Sequence, residues 1–447
     1  MNRDSNRDTD YRDEDYELGA YPEPRPGDYF GRPGRGNTAG SAVGGGRRWL
    51  AVAVAFALAV TTGILISQSS REPEAVAASD LSTDPVSLAA DESLAEQPSG
   101  AAVPVAGARK ATNIPMTKLA PGDKAPQFII FSFDGVGSHT KLVDFMAAAA
   151  PTNSRFVGFL TGLYLLEDSK GGLYHAPGAD PGSSDVGFGG NTAEVLTRVD
   201  DLNTFYLGGN EVGSHYNGHF CGLGANWSTA EWNDELDQFY SIVANWQSMN
   251  EIPNAPALAF TGADIKGGRT PCLAGKFDQL TPSWKAHNMT YDSSGENEFS
   301  GMAWPEQRDG IWQFPIPTIY SQAYVDAGWG NGMVKAMDYN FWYKFNDATD
   351  DPASAAQLTP MVLSTYEYMY QRAFEGNRAP IIVANHFNDW NGNSFNPATL
   401  QFMTQACGQP ETYCATYQDV IAWMELQDPD VLSGLQEQRP VADSASS

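Results

Sequence analysis

The stretch from Gln127 to Gly135 reads QFIIFSFDG and decides the fold class of this chain. Its apolar run begins directly after Pro126 and stops at Asp134 and Gly135. A continuous apolar run of this length, bounded by turn-forming residues, indicates a strand that is buried on both faces. Strands of this kind belong to parallel sheets that are covered by helices. The stretch therefore predicts an α/β fold.

Similar apolar runs recur along the chain, and helical patterns lie between several of them. Ser228–Glu231 has the sequence of a capping box, and apolar residues follow it at helical spacing. Asn396 followed by Pro397 predicts the start of another helix. Strands that alternate with helices over roughly 300 residues predict a parallel α/β architecture, of the barrel type. The further predicted strands cover residues 155–160, 257–261, 289–291, 311–319 and 380–384.

Four polar residues stand at the ends of predicted strands: Asp134, His215, Asp292 and His386. In parallel α/β folds the carboxyl ends of the strands converge on the active site. Taken singly, each could be a turn aspartate or a loop histidine. Taken together, they predict one site built from distant parts of the sequence.

His215 and His219 stand four residues apart and form a compact pair of nitrogen donors. Neutral imidazole is the commonest protein ligand for a divalent metal such as zinc. The helical zinc-protease motif requires a glutamate directly after the first histidine, and Tyr216 stands there instead. The pair therefore predicts a metal site of another kind, with two hydrogen-bonded loop histidines as the alternative.

Several short motifs, in this order, resemble those of the polysaccharide deacetylases, the chitin-deacetylase-like carbohydrate esterases. The resemblance covers about residues 126–425. The matching segments are Ser132–Gly135, His215–His219, Arg269–Cys272, Tyr291–Ser294, Gly310–Pro315 and Ala384–His386.

This resemblance implies a distorted parallel (β/α) barrel that removes N- or O-acetyl groups from a glycan. It implies a divalent metal, with zinc as the expected ion, held by His215 and His219. Asp134 is then the general base, Arg269 orients and charge-stabilises that base, and His386 is the general acid.

The resemblance also implies substrate contacts. Asp292 and Ser293 would line the substrate groove. Trp390 is a candidate for stacking on a sugar ring, although a tryptophan is more often part of a core.

Two residues depart from the family pattern. Gly135 stands where the family has a second aspartate that binds the metal, and Cys272 replaces the usual aromatic residue of the third motif. Two hypotheses follow: a metal-dependent deacetylase with an incomplete metal motif, and a catalytically degenerate glycan-binding protein. A serine esterase is disfavoured because the chain has no Gly-x-Ser-x-Gly elbow.

The four cysteines allow three pairings. Cys407 and Cys414 close a short loop and form an obvious local pair, which leaves Cys221 to bond with Cys272. That second bond would join two loops of the predicted site. Geometry then requires the two Cα atoms to lie within about 7 Å.

The region before the predicted barrel has the composition of an anchored extracellular protein. Trp49–Ile66 is an apolar run just long enough to cross a bilayer, with Arg47 and Arg48 before it. The positive-inside rule places the N-terminus in the cytoplasm and the rest outside the cell membrane. A signal peptide cleaved near Ala75–Ala77 is the alternative.

The predicted organisation has five parts, and its net charge is strongly negative. The 54 acidic and 27 basic residues give a formal charge of −27, which argues against nucleic acid as a partner. A cell-envelope polysaccharide and the membrane are the expected partners. The parts are a disordered cytoplasmic tail (1–48), a transmembrane anchor (49–66), a disordered extracellular linker (67–120), a deacetylase-like domain (121–430) and a flexible tail (431–447).

Overall fold

A computed structural model describes residues 108–295 and 300–441. The predicted cytoplasmic tail, the anchor at 49–66 and most of the linker lie outside these residues. Within the described ranges, no helix combines the length and the apolar composition needed to cross a membrane.

The described residues form an α/β fold. Its strands are β1 (Gln127–Gly135), β2 (Val157–Leu160), β3 (Glu211–Ser214), β4 (Gly267–Gly268), β5 (Tyr291–Asp292), β6 (Glu306–Arg308), β7 (Ile311–Gln313), β8 (Thr318–Tyr320), β9 (Met333–Lys335), β10 (Ile381–His386) and β11 (Thr412–Cys414). Its helices are α1 (His139–Ala149), α2 (Thr192–Leu207), α3 (Cys221–Gly224), α4 (Thr229–Met249), α5 (Phe277–Ala286), α6 (Gln322–Asp326), α7 (Asp338–Asn346), α8 (Ala355–Glu375), α9 (Trp390–Asn393), α10 (Phe395–Ala406), α11 (Tyr417–Leu426) and α12 (Pro429–Gln436).

The main sheet is parallel except at one edge. Its strands run in the order β10-β1-β2-β3-β4-β5-β7-β6, and β11 also pairs with β1. Only the β6–β7 ladder of this sheet is antiparallel in the described ranges, and no ladder there joins β6 or β7 to β10. The predicted parallel α/β architecture is confirmed, whereas closure into a barrel stays a prediction.

β1 is an interior strand of the sheet and is buried on both faces, as its sequence predicts. All nine of its residues are buried, with β10 on one side and β2 and β11 on the other. The register places Asp134 opposite His386 at the end of the β1–β10 ladder. Two polar residues from remote segments are therefore neighbours because of strand pairing alone.

The predicted elements differ from the observed ones in three places. The predicted strand 311–319 is divided into β7, in the main sheet, and β8, which pairs with β9 in a separate sheet. Residues 257–261 form no strand, because the Asn203 side chain takes up the backbone groups of Ala257 and Ala259. Helix α10 begins at Phe395, so Pro397 lies within its first turn, where the missing N–H leaves no helical bond unmade. The capping box at Ser228 is confirmed as the start of α4.

The folded region extends beyond both bounds predicted for the domain. Before residue 121, the Lys110 N–H donates to the Leu207 carbonyl, and the Leu119 N–H donates to the Gln427 side chain. After residue 430, helix α12 continues to Gln436, and Val441 pairs with Met302. The predicted linker and tail therefore each contribute residues to the folded region.

Candidate active site

Asp134 and Arg269 form a buried ion pair at the end of β1. The Arg269 guanidinium donates from Nη1 to Asp134 Oδ1 over 2.9 Å, and neither side chain is more than 2% exposed. Burial alone would raise the pKa of Asp134, but the positive charges of Arg269 and His386 and the hydrogen bond from Arg269 lower it below its ordinary value. The carboxylate is therefore held in its ionised form.

Arg269 is itself fixed by a polar network beneath the site. Its Nη2 donates to the hydroxyls of Ser132, Ser293 and Tyr417, and its Nε donates to the Ser293 carbonyl. Tyr417, the first residue of α11, is fully buried, and its hydroxyl also bonds the hydroxyls of Ser132 and Ser293. The network leaves Arg269 with one direction in which to present Nη1, towards Asp134.

Ser293 therefore lies in a different place from the one expected. Its hydroxyl is fully buried between the Arg269 guanidinium, Tyr417 and the Phe314 carbonyl, which it reaches over 2.9 Å. This placement supports a role in positioning Arg269 and disfavours direct contact with a glycan.

His386 faces Asp134 from the neighbouring strand and is oriented by a second carboxylate, Asp338. His386 Nε2 lies 3.8 Å from Asp134 Oδ2. Its Nδ1–H donates to Asp338 Oδ1 over 2.8 Å, and its backbone N–H donates to Asp338 Oδ2. Burial alone would lower the pKa of His386, but the negative charges of Asp338 and Asp134 raise it. The imidazole therefore holds its proton to higher pH than usual.

Sequence reasoning missed Asp338. It opens α7, far from any recognised motif, and the segment carrying β8 and β9 separates it from the strands of the site. The only available signal was a carboxylate at the start of a helical pattern, which is also the ordinary place for a surface aspartate.

His215 presents a bare nitrogen to the site. Its Nδ1 lies 2.9 Å from the Arg269 carbonyl oxygen, which can only accept, so Nδ1 carries the proton. Nε2 is buried and has no hydrogen-bond partner within the described residues. Burial lowers the pKa of His215 and outweighs the opposing charge of Asp134, so the ring is neutral. A neutral imidazole whose second nitrogen has a lone pair free of any hydrogen bond is the form that binds a metal.

His219 lies beside His215 in a loop with unusual backbone geometry. The ring centroids of the two histidines are 5.1 Å apart. Tyr216 and His219 have φ angles of 55° and 61°, in the left-handed region. Burial lowers the pKa of His219 well below its ordinary value, which keeps this ring neutral too.

A buried carboxylate, Glu235 of α4, holds this loop in place. Glu235 accepts from the Asn217 N–H over 2.9 Å and from the Tyr174 hydroxyl over 2.8 Å. Tyr174 in turn accepts from the Gly218 N–H. The loop between the two histidines is therefore tied to α4 through its own backbone.

The predicted disulfides are both present. Cys221 is bonded to Cys272 and Cys407 to Cys414, each with Cα atoms 5.4 Å apart. The first bond lies against His219, whose Nδ1 is 3.9 Å from Cys221 Sγ.

The position of Gly135 explains why no second aspartate stands there. Its φ is +86°, a conformation that glycine adopts freely and other residues adopt at a cost. Within the described residues, Asp134 does not join the two histidines in a group of three whose ligand atoms all lie within 4.8 Å. His215, His219 and a carboxylate therefore form no such close group in the part of the chain that the structure describes.

Comparison with known proteins gives likeness in structure but none in sequence. No protein-family model matches the chain, and no curated protein sequence does. A protein described as a polysaccharide deacetylase from Mycobacterium smegmatis is 12% identical, covers 77% of this chain and 99% of its own, and has a TM-score of 0.40. A family 4 carbohydrate esterase from Streptomyces lividans is 12% identical, with coverage of 65% and 92% and a TM-score of 0.30.

This chain is similar to polysaccharide deacetylases. The similar structures also include a CE4-family pseudoenzyme from Bacillus anthracis, at 10% identity, with coverage of 66% of each chain and a TM-score of 0.34.

Asp292 lies on a cleft of the described surface. Asp292 and Ser294 line a cleft of about 910 Å³ that β6 borders on another side. Asp292 accepts hydrogen bonds from the backbone N–H groups of Ser294 and Gly295. Burial outweighs these bonds and raises the pKa of Asp292 to about 6. Asp292 remains a candidate for contact with substrate.

Trp390 is buried rather than displayed on the surface. Only 7% of it is exposed, and its ring stacks on Trp342 with centroids 5.7 Å apart. It also contacts the His386 ring at 4.8 Å. This placement disfavours a sugar-stacking role, because α7 covers the ring, and it makes Trp390 part of the packing around His386.

Proposed function

We propose that the chain is a metal-dependent hydrolase that removes N- or O-acetyl groups from a cell-envelope polysaccharide. One observation carries this proposal: an ionised aspartate and a histidine that retains its proton face each other across 3.8 Å, each fixed by a buried partner of opposite charge. Pairs of titratable groups whose surroundings push their pKa values apart are the mark of an acid and a base with separate tasks.

Asp134 acts as the general base in this proposal. It takes a proton from the water that attacks the acetyl carbonyl, and Arg269 keeps it ionised until that moment. His386 acts as the general acid and gives its proton to the leaving amine or alkoxide. Asp338 fixes the His386 ring with Nε2 towards the reaction centre.

His215 and His219 would hold a divalent ion, with zinc as the expected one. The bare Nε2 of His215 fits such an ion because a buried nitrogen without a partner is otherwise costly. When bound, the ion supplies Lewis acidity towards the acetyl oxygen. Two neutral donors are fewer than the three protein ligands usual at catalytic zinc sites, so binding is expected to be weak.

Release of acetate from acetylated oligosaccharides tests the proposal. The native chain should release acetate, a chelator should stop the reaction, and added zinc should restore it. Loss of activity in His386→Ala with unchanged metal binding would support the general-acid role. Native chain that binds acetylated oligosaccharide but releases no acetate at any zinc concentration would contradict the proposal.

A catalytically degenerate glycan-binding protein is the second candidate. Gly135 favours it, and so does the absence, in the described residues, of a close group that contains both histidines and a carboxylate. Under this alternative, glycan binding survives both chelation and His386→Ala, and acetate is released by neither native nor zinc-loaded chain.

The proposed location is the outer face of the cell membrane. The apolar run Trp49–Ile66 and the arginines before it support a single anchor with the domain outside. The parallel sheet, with the distorted-barrel closure that the sequence predicts, would then stand in the cell envelope beside its substrate.

A further inference from the structure

We propose that reduction of the Cys221–Cys272 disulfide creates a second metal site, built from His219 and the two cysteine thiolates. Ligand atoms of these three residues all lie within 4.8 Å of one another. Two thiolates and one imidazole form a donor set that suits zinc and other thiophilic ions. In the oxidised chain both sulfurs are occupied by their mutual bond, so this site exists only after reduction.

The geometry fits a tetrahedral ion with little movement of the backbone. With Zn–N and Zn–S bonds of ordinary length, the nitrogen and a sulfur lie about 3.5 Å apart and the two sulfurs about 3.8 Å apart. His219 Nδ1 and Cys221 Sγ are 3.9 Å apart in the oxidised chain. The Cα atoms of the two cysteines are 5.4 Å apart. Opening the disulfide therefore requires mainly a rotation of the cysteine side chains.

The two disulfides differ in their exposure to a reductant. Cys272 is exposed and Cys221 is half-buried, whereas Cys407 and Cys414 are buried, at 5% and 1% exposure. Reduction requires direct attack on a sulfur atom, so access decides which bond opens first. The bond beside His219 is the accessible one.

A phosphine can reduce the Cys221–Cys272 disulfide in a balanced reaction. The phosphine attacks the Cys272 sulfur, the S–S bond breaks, and Cys221 leaves as a thiolate. Water then cleaves the phosphorus–sulfur bond, which gives phosphine oxide and the second thiol. The disulfide gains two electrons and two protons, and the metal displaces the thiol protons when it binds.

The negative charges of the two thiolates would raise the affinity of this region for a divalent ion. In the oxidised chain, His219 and its neighbour His215 are neutral donors, and among the described residues they form no close three-residue group with a carboxylate. Reduction places two thiolates beside His219, so a divalent ion is held there more tightly than by the two imidazoles. The chain would then retain metal according to the redox state of its surroundings.

Metal binding by the full-length chain tests this inference without any enzymatic assay. The chain is treated with a phosphine and desalted without oxygen, and thiols, Co²⁺ absorption and zinc affinity are then measured. We expect two reactive thiols per chain, a thiolate-to-cobalt charge-transfer band, and zinc binding tightened at least about 100-fold over the oxidised chain. A reduced chain without two reactive thiols, or without the band at saturating Co²⁺, would overturn the inference.

Matched variants separate this site from the proposed catalytic metal. Cys221→Ser with Cys272→Ser should abolish the band, and His219→Ala should weaken zinc binding in the reduced chain. His215→Ala should leave the band intact, because His215 is not in the thiolate group, while it removes the site proposed for deacetylation. A band that survives the double cysteine variant, or an affinity unchanged by His219→Ala, would contradict the assignment.

Discussion

At the scale of single residues, Asp338 makes the sharpest prediction because both oxygens of its carboxylate accept hydrogen bonds from the proposed acid, His386. Asp338→Asn should remove a charge that raises the pKa of His386, so the proton is lost at lower pH. The alkaline limb of the kcat profile should therefore shift to lower pH. The acid limb, set by the lowered pKa of Asp134, should stay in place. Asp350→Asn, an exposed aspartate near the same helix, is the matched control.

His386→Ala should lower kcat by a factor of about 100 to 10,000, the usual contribution of a general acid. Acetate release under saturating zinc measures this loss, and a zinc titration of the same variant measures metal binding. A variant that loses zinc together with activity would show His386 to be a ligand, contrary to the role proposed here.

Gly135 allows a test of the missing carboxylate. Gly135→Asp and Gly135→Asn should each cost about 1–2 kcal/mol of stability, because both residues must adopt φ near +86°. A Cβ at this position meets nothing closer than Tyr164 Cε2 at 3.5 Å, so the side chain has room. Only Asp adds a charge, so only Gly135→Asp should tighten zinc binding. Equal affinity in the two variants would place this side chain away from the metal.

At the scale of elements, the polar residues at strand ends were predictable from the sequence, whereas the residues that hold them in place were not. Asp134 and His386 are neighbours because the parallel strands β1 and β10 end together. The sequence shows these strand ends as the points where apolar runs stop. Asp338, Glu235 and Tyr417 come from helices, and a sequence does not show which helical polar residue turns inward. Ser293 was misplaced for a different reason: it follows β5, and one step along an extended segment reverses the direction of a side chain, so Asp292 lines the cleft and Ser293 is buried.

Glu235 of α4 should make the stability of the chain depend on pH. Burial raises the pKa of Glu235 from 4.5 to about 7, so the folded chain keeps this proton at pH values where the unfolded chain releases it. Stability of the native chain should therefore fall as pH rises from about 4.5 to 7. Glu235→Gln should remove the part of this slope that Glu235 contributes, and Asp292, whose pKa is also raised, should keep its own part. The variant should also weaken zinc binding, because its amide N–H₂ opposes one of the two groups that donate hydrogen bonds to the carboxylate. Denaturant unfolding across this pH range measures the slope.

Tyr174→Phe is the matched variant, because Tyr174 and Glu235 together hold the loop between His215 and His219. It removes the hydroxyl that bonds both Glu235 and the Gly218 N–H, and it leaves the aromatic packing in place. We expect it to lower the free energy of unfolding by about 1–3 kcal/mol and to weaken zinc binding as well. Unchanged zinc affinity in both variants would show that the loop holds its histidines without help from α4.

At the scale of the whole molecule, the acidic chain should stand outside the cell on its single anchor. With a tag at each end, protease added to intact cells should remove the C-terminal tag and spare the N-terminal one, because the arginines before Trp49–Ile66 keep that end in the cytoplasm. Permeabilised cells, in which both tags are digested, give the control. A C-terminal tag that resists protease in intact cells would contradict this topology. A mature chain that lacks the N-terminal tag before any protease is added would favour cleavage near Ala75–Ala77, with the domain released from the membrane.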